Sequence, residues 1–242
     1  LTFPDSPAGR TRIDSVLMAQ KVKNVTGFEV MPHICCRDKN AIAMRSTFLG
    51  ASINGINNFL IITGDPIPVM ARQVVKSVFN FDSVGLMRIA DEMNSEVLKD
   101  SPLTYGGAIN QSRRRIESEI KRVQKKMEAG AEFFLTQPVF TAEDAERLRR
   151  VKEETGARIL CGIMPLVSRK NALFMKNEIS GVNVTDEVIE RYPENACRED
   201  GENVGVELAK EMIAATRDFA DGYYFSFPFN RTYLLKRIIQ EV

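Results

Sequence analysis

Seven short apolar runs, separated by stretches of helical period, constrain the fold of this 242-residue chain more tightly than any other feature. The runs are LTF (1–3), FEVMPHIC (28–35), NFLIITGD (58–65), PLTYGGAIN (102–110), EFFLTQPVF (132–140), RILCGIMPL (158–166) and GYYFSFPF (222–229). Between them lie DSVLMAQKVKN, NAIAMRSTFLGAS, SVGLMRIADEMN, SRRRIESEIKRVQKKMEAG, AEDAERLRRVKEETG, KNALFMKNEIS and GVELAKEMIAATRDFA, which read as helices. Strands that are apolar on both faces and alternate with helices belong to a parallel sheet covered on both sides. Seven such units fit an α/β (β/α)8 TIM barrel with its first βα unit absent better than a doubly wound sheet. No G-x-G-x-x-G follows any run, so a dinucleotide crevice has no fingerprint here. Gly130, Gly156 and Gly181 stand where a left-handed residue closes a helix. The polar segment Asn183 to Asn203 reads as an irregular excursion before the last long helix.

Composition excludes several partners. Thirty-three basic residues against thirty-two acidic give a net charge of +1, which offers no general attraction to nucleic acid. No run approaches the roughly 18 consecutive apolar residues of a membrane span. The start, LTFPDSPAGR, has no basic region leading into an apolar one, so the expected location is the cytoplasm. Cys35, Cys36, Cys161 and Cys197 show no C-x-x-C spacing and His33 is the single histidine, which leaves few ligands for a zinc site; no metal is expected.

In a barrel the chemistry lies where the strands end. There the chain carries Thr2, His33, Thr63 with Asp65, Tyr105 with Asn110, Thr136 with Gln137, Ser168, and Asn230 with Arg231. This set has a carboxylate, amides, an imidazole and a guanidinium, but no serine elbow and no second acid paired with Asp65 for glycosidase chemistry. Such a mouth binds a ligand and leaves the reaction to a cofactor. Each residue also has a plainer reading: Asp65 as a turn or helix cap, Gln137 as a loop amide, His33 as a core histidine, and Lys126 with Glu119 as a solvated helix face.

The ordered motifs PHICC, TGDP, AGAEFFLTQPVF, GIMPL and FNR resemble the methylenetetrahydrofolate reductase family. GIMPLVSRKNALFMKNEISGV is most similar to the reductase portion of bifunctional bacterial enzymes that join it to a homocysteine methyltransferase. The resemblance implies one FAD-bearing barrel domain over 1–242. Its implied reaction is reduction of 5,10-methylenetetrahydrofolate to 5-methyltetrahydrofolate, with NADH or NADPH as hydride donor, in ping-pong through the flavin. It further implies a homo-oligomer and a fused or associated methyltransferase. Asp65 takes the catalytic place, by the flavin and the pterin, where its charge favours the iminium cation that accepts the hydride. Thr2, Phe3, His33, Thr63, Gly64, Asp65, Ser83, Tyr105, Glu119, Lys125 and Lys126 fall at cofactor positions, and Thr2, Asp65, Gln137, Asn171 and Arg231 at substrate positions. Within that assignment Gln137 serves pterin and nicotinamide in turn, and Arg231 clamps the folate tail.

The chain departs from the family pattern at four places, one of them the family's Tyr-Pro-x-x-His stretch, whose histidine is replaced within Tyr105-Gly106-Gly107-Ala108-Ile109. Thr63 stands where an arginine is common, with Arg113, Arg114 and Arg115 as substitutes for the lost phosphate contact. Asn171 stands for a glutamine, and the first strand with its protonating glutamate has no counterpart. The expected whole is therefore a longer polypeptide. Two other classes fit the residues: a proline-dehydrogenase-like flavin barrel, and a non-catalytic barrel subunit.

Overall fold

Helices begin where short polar side chains can satisfy backbone N–H groups that have no partner within the helix. Asp14 accepts from Val16 and Leu17, Asn40 from Ala43, Asp82 from Gly85, Thr141 from Asp144, and Ser168 from Asn171. Each such cap stabilises its helix by about 1 kcal/mol. Gly27 and Gly156 close two helices at φ values of 71° and 68°.

The computed structural model describes residues 1–179, 181–195 and 197–240. Ser180, at the end of one expected helix, and Ala196, in the expected irregular segment, lie outside the described residues. Two units group by their internal contacts, Leu1–Ala108 with Gln124–Glu132, and Ile109–Val123 with Phe133–Val242.

In the first unit β1 (Thr2–Phe3), α1 (Ser15–Thr26), β2 (Met31–Cys35), α2 (Ala41–Ser52), β3 (Asn58–Ile62), α3 (Ser83–Ser95) and β4 (Thr104–Ile109) alternate along the chain. The strands pair in parallel and in chain order, with Thr2 opposite Met31, His33 opposite Leu60, and Asn58 opposite Thr104. Pro32 and Ile34 on β2 and Phe59 and Ile61 on β3 are buried. Phe59 meets Phe48 of α2 edge to face at 5.2 Å and 82°, a pair contributing about 0.5–1.5 kcal/mol beyond its burial. Alternation along β2 then sends Met31, His33 and Cys35 to the other side of the sheet.

In the second unit β5 (Phe133–Pro138), α5 (Ala142–Thr155), β6 (Ile159–Ile163), α6 (Arg169–Glu178), α7 (Asp186–Glu190), α8 (Arg198–Thr216), β7 (Gly222–Phe225) and α9 (Leu234–Ile239) follow one another. Here too the strands are parallel and in chain order. α4 (Ile116–Glu128) contributes residues to both units. A doubly wound sheet reverses its strand order, whereas successive parallel neighbours are barrel winding. The fold class is α/β, of the (β/α)8 barrel type lacking one βα unit, with seven strands among the described residues.

Three expectations need correction. α8 starts at Arg198 and α7 occupies 186–190, so the irregular excursion is much shorter than Asn183 to Asn203. The hidden signal was a capping box with a thiol in the usual hydroxyl position: Cys197 accepts from the Asp200 N–H while Asp200 accepts from the Cys197 N–H. α4 starts at Ile116, which leaves Arg113, Arg114 and Arg115 outside it. Gly181 has φ 83° but does not close α6, which ends at Glu178 with Ile179 already extended.

Candidate functional site

The ends of β1, β2 and β3 carry a network that ties two loops together. Thr2 Oγ1 lies 2.6 Å from His33 Nε2, and the Ser15 hydroxyl donates to the His33 carbonyl at 2.7 Å. Burial pushes the His33 imidazole down to about 4, so it is neutral around pH 7. Phe3 lines a shallow cavity of about 320 Å³ with Pro4, Pro7, Ile13 and Met18.

After β3, Gly64 turns with φ 94°; a Cβ there would stand 2.9 Å from the Cys35 Cβ, so only glycine fits. Asp65 is exposed, and its Oδ2 accepts the Ala8 N–H at 2.7 Å. Ala8 and Ser6 hold left-handed φ values of 55° and 42°. Beneath them Arg37, only 2% exposed, donates to the Asp65 carbonyl at 3.0 Å, to the Ser6 carbonyl at 3.1 Å and to both oxygens of Asp38. Asp5 accepts the Cys35 N–H at 3.0 Å. Ligand atoms of Asp5, Cys35 and Asp38 lie within 4.8 Å of one another. Burial, reinforced by Asp5, pushes the Cys35 thiol up to about 12, and Arg37 already holds Asp38. The cluster is built as a loop brace. The Thr63 and Ser83 hydroxyls lie 3.3 Å apart, and Thr63 also accepts the Ser83 N–H.

Other expected cofactor residues of this unit turn toward backbone. Tyr105 is buried with its hydroxyl on the Ala129 carbonyl at 3.0 Å, and burial raises its phenol well above the usual range. Lys126 is 4% exposed and donates to the Ala108 carbonyl. Lys125 is exposed. Since Tyr105 reaches the end of α4, Gly106 and Ala108 face the opposite side of β4, where they add almost no side-chain volume.

In the second unit the pairing of β5 with β6 shifts between Leu135 and Pro138. Thr136 Oγ1 takes the place of a ladder acceptor, receiving the Gly162 N–H at 2.9 Å and donating to the Gln137 carbonyl at 2.7 Å. A bulge of this kind re-aims the following side chain. The backbone of Gln137 is gripped by Gln111, which is fully buried: Nε2 donates to the Gln137 carbonyl at 3.0 Å, and Oε1 accepts the Gln137 N–H at 3.2 Å. Arg147 fixes the Gln111 carbonyl from α5 at 2.6 Å. The half-buried Gln137 side-chain amide makes no hydrogen bond among the described residues.

Glu119 is 2% exposed; one oxygen accepts the Asn110 N–H at 2.9 Å and the other pairs with Arg113 at 3.0 Å and Arg122 at 3.7 Å. Asn171 is buried within the start of α6, accepting the Val167 N–H at 3.2 Å. Arg231 is held through Nε by Glu202 at 3.2 Å, with its guanidinium 5.6 Å from the Phe229 ring. Gln111, Glu202 and Arg37 did not stand out in the sequence. Gln111 follows the marked Asn110 by one residue, and Glu202 falls in the segment read as irregular.

The family model described as Methylenetetrahydrofolate reductase matches residues 2–241. The chain belongs to that family. Relatives in the methylenetetrahydrofolate reductase family include the 5,10-methylenetetrahydrofolate reductase of Salmonella typhimurium, 24% identical over 174 residues, covering 71% of this chain and 55% of the relative. The enzyme of the same description from Buchnera aphidicola is 24% identical over 223 residues, covering 88% and 71%. Methylenetetrahydrofolate reductase 2 of Schizosaccharomyces pombe is 25% identical over 237 residues, covering 92% and 36%. The chain thus spans about half the length of the Salmonella relative and little more than a third of the yeast one.

Among solved structures, 2,3-dimethylmalate lyase, of the PEP mutase/isocitrate lyase superfamily, aligns with TM-score 0.53 at 15% identity, over 94% of this chain and 64% of its own. An uncharacterized protein from Clostridium thermocellum, described as binding two copies of 5-methyl-5,6,7,8-tetrahydrofolic acid, aligns with TM-score 0.52 at 15% identity, over 99% and 92%. Likenesses at that identity speak for the fold alone.

Proposed function

We propose that this chain reduces 5,10-methylenetetrahydrofolate to 5-methyltetrahydrofolate, using FAD reduced by NADH or NADPH. The observation that carries the reading is the family match from residue 2 to residue 241. The residues of the first unit suit the ring end of a flavin: a neutral imidazole at His33, the Thr2 and Thr63 hydroxyls, a backbone stripped of Cβ at Gly64, and the low side of β4 at Gly106 and Ala108. Thr2, Phe3, His33, Thr63, Gly64 and Ser83 would border the ring, with Lys125 toward the phosphates. Tyr105 and Lys126 would support that shell through the backbone bonds they make now, and Glu119 holds the Asn110 N–H within the second unit. The flavin supplies hydride transfer from the nicotinamide to the folate methylene carbon.

The chain's own part is electrostatic and orienting. Asp65 keeps one oxygen on the Ala8 N–H, which fixes its carboxylate, and its negative charge favours the iminium form of the folate. Gln137 offers both a donor and an acceptor to a pterin edge. Arg231 takes the carboxylate of the tail. The test separates the half-reactions in single turnovers. Asp65→Asn should leave flavin reduction by the nicotinamide near its normal rate and slow flavin oxidation by methylenetetrahydrofolate by about 10²-fold or more. Equal slowing of both would make Asp65 a structural brace only. A purified protein without flavin absorbance, and without bleaching by a reduced nicotinamide under nitrogen, would remove the redox assignment. Folate binding without reduction is the second reading, favoured by the near-full-length likeness to the Clostridium protein described as binding 5-methyltetrahydrofolic acid. A colourless preparation that binds that compound would support it.

A further inference from the structure

α8 lies unusually close to the connection after β6. A Cβ on Gly205 would stand 1.9 Å from the Leu166 carbonyl oxygen, and one on Gly201 would stand 2.4 Å from that of Val167. Between these glycines sits Glu202, only 6% exposed, a residue that nothing in the motifs placed near a ligand. Its Oε1 accepts hydrogen bonds from Tyr233 Oη at 2.6 Å and Arg198 Nε at 2.8 Å, and forms an ion pair with Arg231, whose Nε lies 3.2 Å away. Burial alone would raise this carboxyl's pKa, but the hydrogen bonds from Arg198 and Tyr233 and the charges of Arg198 and Arg231 hold it below the usual range.

The contact to Arg231 is an ion pair made on one side of the guanidinium. Only Nε is engaged, and the two terminal nitrogens make no hydrogen bond or ion pair among the described residues. A guanidinium held by its inner edge presents its outer edge as a two-pronged donor, the geometry that a carboxylate matches. The Phe229 ring lies 5.6 Å from the guanidinium. Phe229 and Asn230 both hold left-handed φ values, 56° and 57°, so the chain entering Arg231 follows a strained path that its surroundings must enforce.

We propose that Glu202 is the positioning residue for Arg231: it holds Nε so that the two terminal nitrogens face a ligand carboxylate. The proposal rests on the reading of Arg231 as the clamp of the folate tail. It assigns to Glu202 a role opposite to the one its charge suggests. A carboxylate near a carboxylate-binding site repels the ligand, yet with Arg198 and Arg231 around it the cluster carries a net positive charge. The orienting contact outweighs the repulsion.

The test measures a ratio. Equilibrium binding of 5-methyltetrahydrofolate is compared with that of its glutamate diamide, equal in shape and without tail charge, for the full chain and its variants. Arg231→Ala should lower the preference for the charged tail by about tenfold to a hundredfold, the weight of a bidentate charge-assisted pair. Glu202→Gln keeps the size and one acceptor and should lower the same preference by about threefold to tenfold. Glu202→Asp keeps the charge but withdraws it by one methylene and carries the same expectation. A purely structural Glu202 would weaken both ligands alike and leave the ratio unmoved. A preference unchanged or increased in Glu202→Gln, with Arg231→Ala still losing it, overturns the positioning role. An unchanged ratio in Arg231→Ala removes the tail-clamp reading itself, whatever Glu202 does.

Discussion

Past β3, Asp65 gives a carboxylate oxygen to the Ala8 N–H and its carbonyl to Arg37, while Arg37 has all three of its nitrogens on Asp65, Ser6 and Asp38. Past β7, Arg231 engages Glu202 through one nitrogen and leaves two. The same contrast separates His33, whose Nε2 already meets Thr2, from Gln137, whose backbone is clamped by Gln111 while its amide makes no hydrogen bond among the described residues. Polar groups at strand ends in the first unit chiefly fix loops. In the second unit Gln137 and Arg231 are instead fixed from behind and leave hydrogen-bonding capacity in front. A strand-end polar residue is therefore better judged by the bonds it has left than by its type or position.

Replacing residues on each side of this contrast should give opposite phenotypes. The largest stability loss is expected from Arg37→Ala, which leaves two backbone carbonyls and the Asp38 carboxylate without their buried cation; about 3–5 kcal/mol should disappear from the unfolding free energy measured in denaturant. Arg231→Ala should cost less than about 1 kcal/mol in the same assay, because its partner Glu202 keeps Arg198 and Tyr233. A large stability loss in Arg231→Ala would erase the distinction. Next comes Gln111→Ala, which strips both backbone groups of Gln137; about 2–3 kcal/mol of stability should be lost, and folate affinity should fall with it. Asp65→Asn should cost about 0.5–1 kcal/mol, since an amide oxygen still accepts from Ala8 but without charge.

A pH slope provides a separate check on the first unit. His33 titrates near 4 in the folded chain, below its ordinary value of 6.5, so the unfolded chain binds more protons between these values. Its contribution to stability is complete above about pH 6.5 and is lost as pH falls toward 4. Denaturant titrations of His33→Gln should show a flatter decline over that window. An equally steep decline would mean that carboxylates set the acid limit.

The order and kind of the strands were legible because their near-continuous apolar character needs no tertiary information. The start of α8 was not legible, because cysteine caps a helix too seldom to be read as a signal. At the site, residue types at strand ends marked the candidate positions. What could not be read was which bonds were already made: nothing near Lys126 in sequence announces the Ala108 carbonyl, eighteen positions earlier, and nothing near Asp65 announces Ala8. Those contacts depend on which residues the winding brings side by side, which no local pattern encodes.

Gly201 and Gly205 set more than a packing distance. They let α8 rest directly on the carbonyl oxygens of Val167 and Leu166, and Glu202 rides between them. In mechanical terms the two carbonyls are a datum surface and the glycines are the bearing, so the height of Glu202 above β7 is defined by backbone against backbone, with no compressible side chain in the gap. A single methyl at position 205 has to lift the helix by more than an ångström to clear the Leu166 oxygen. That displacement is enough to draw a carboxylate out of reach of a guanidinium now 3.2 Å away, so a methyl group that touches no ligand would alter ligand selection.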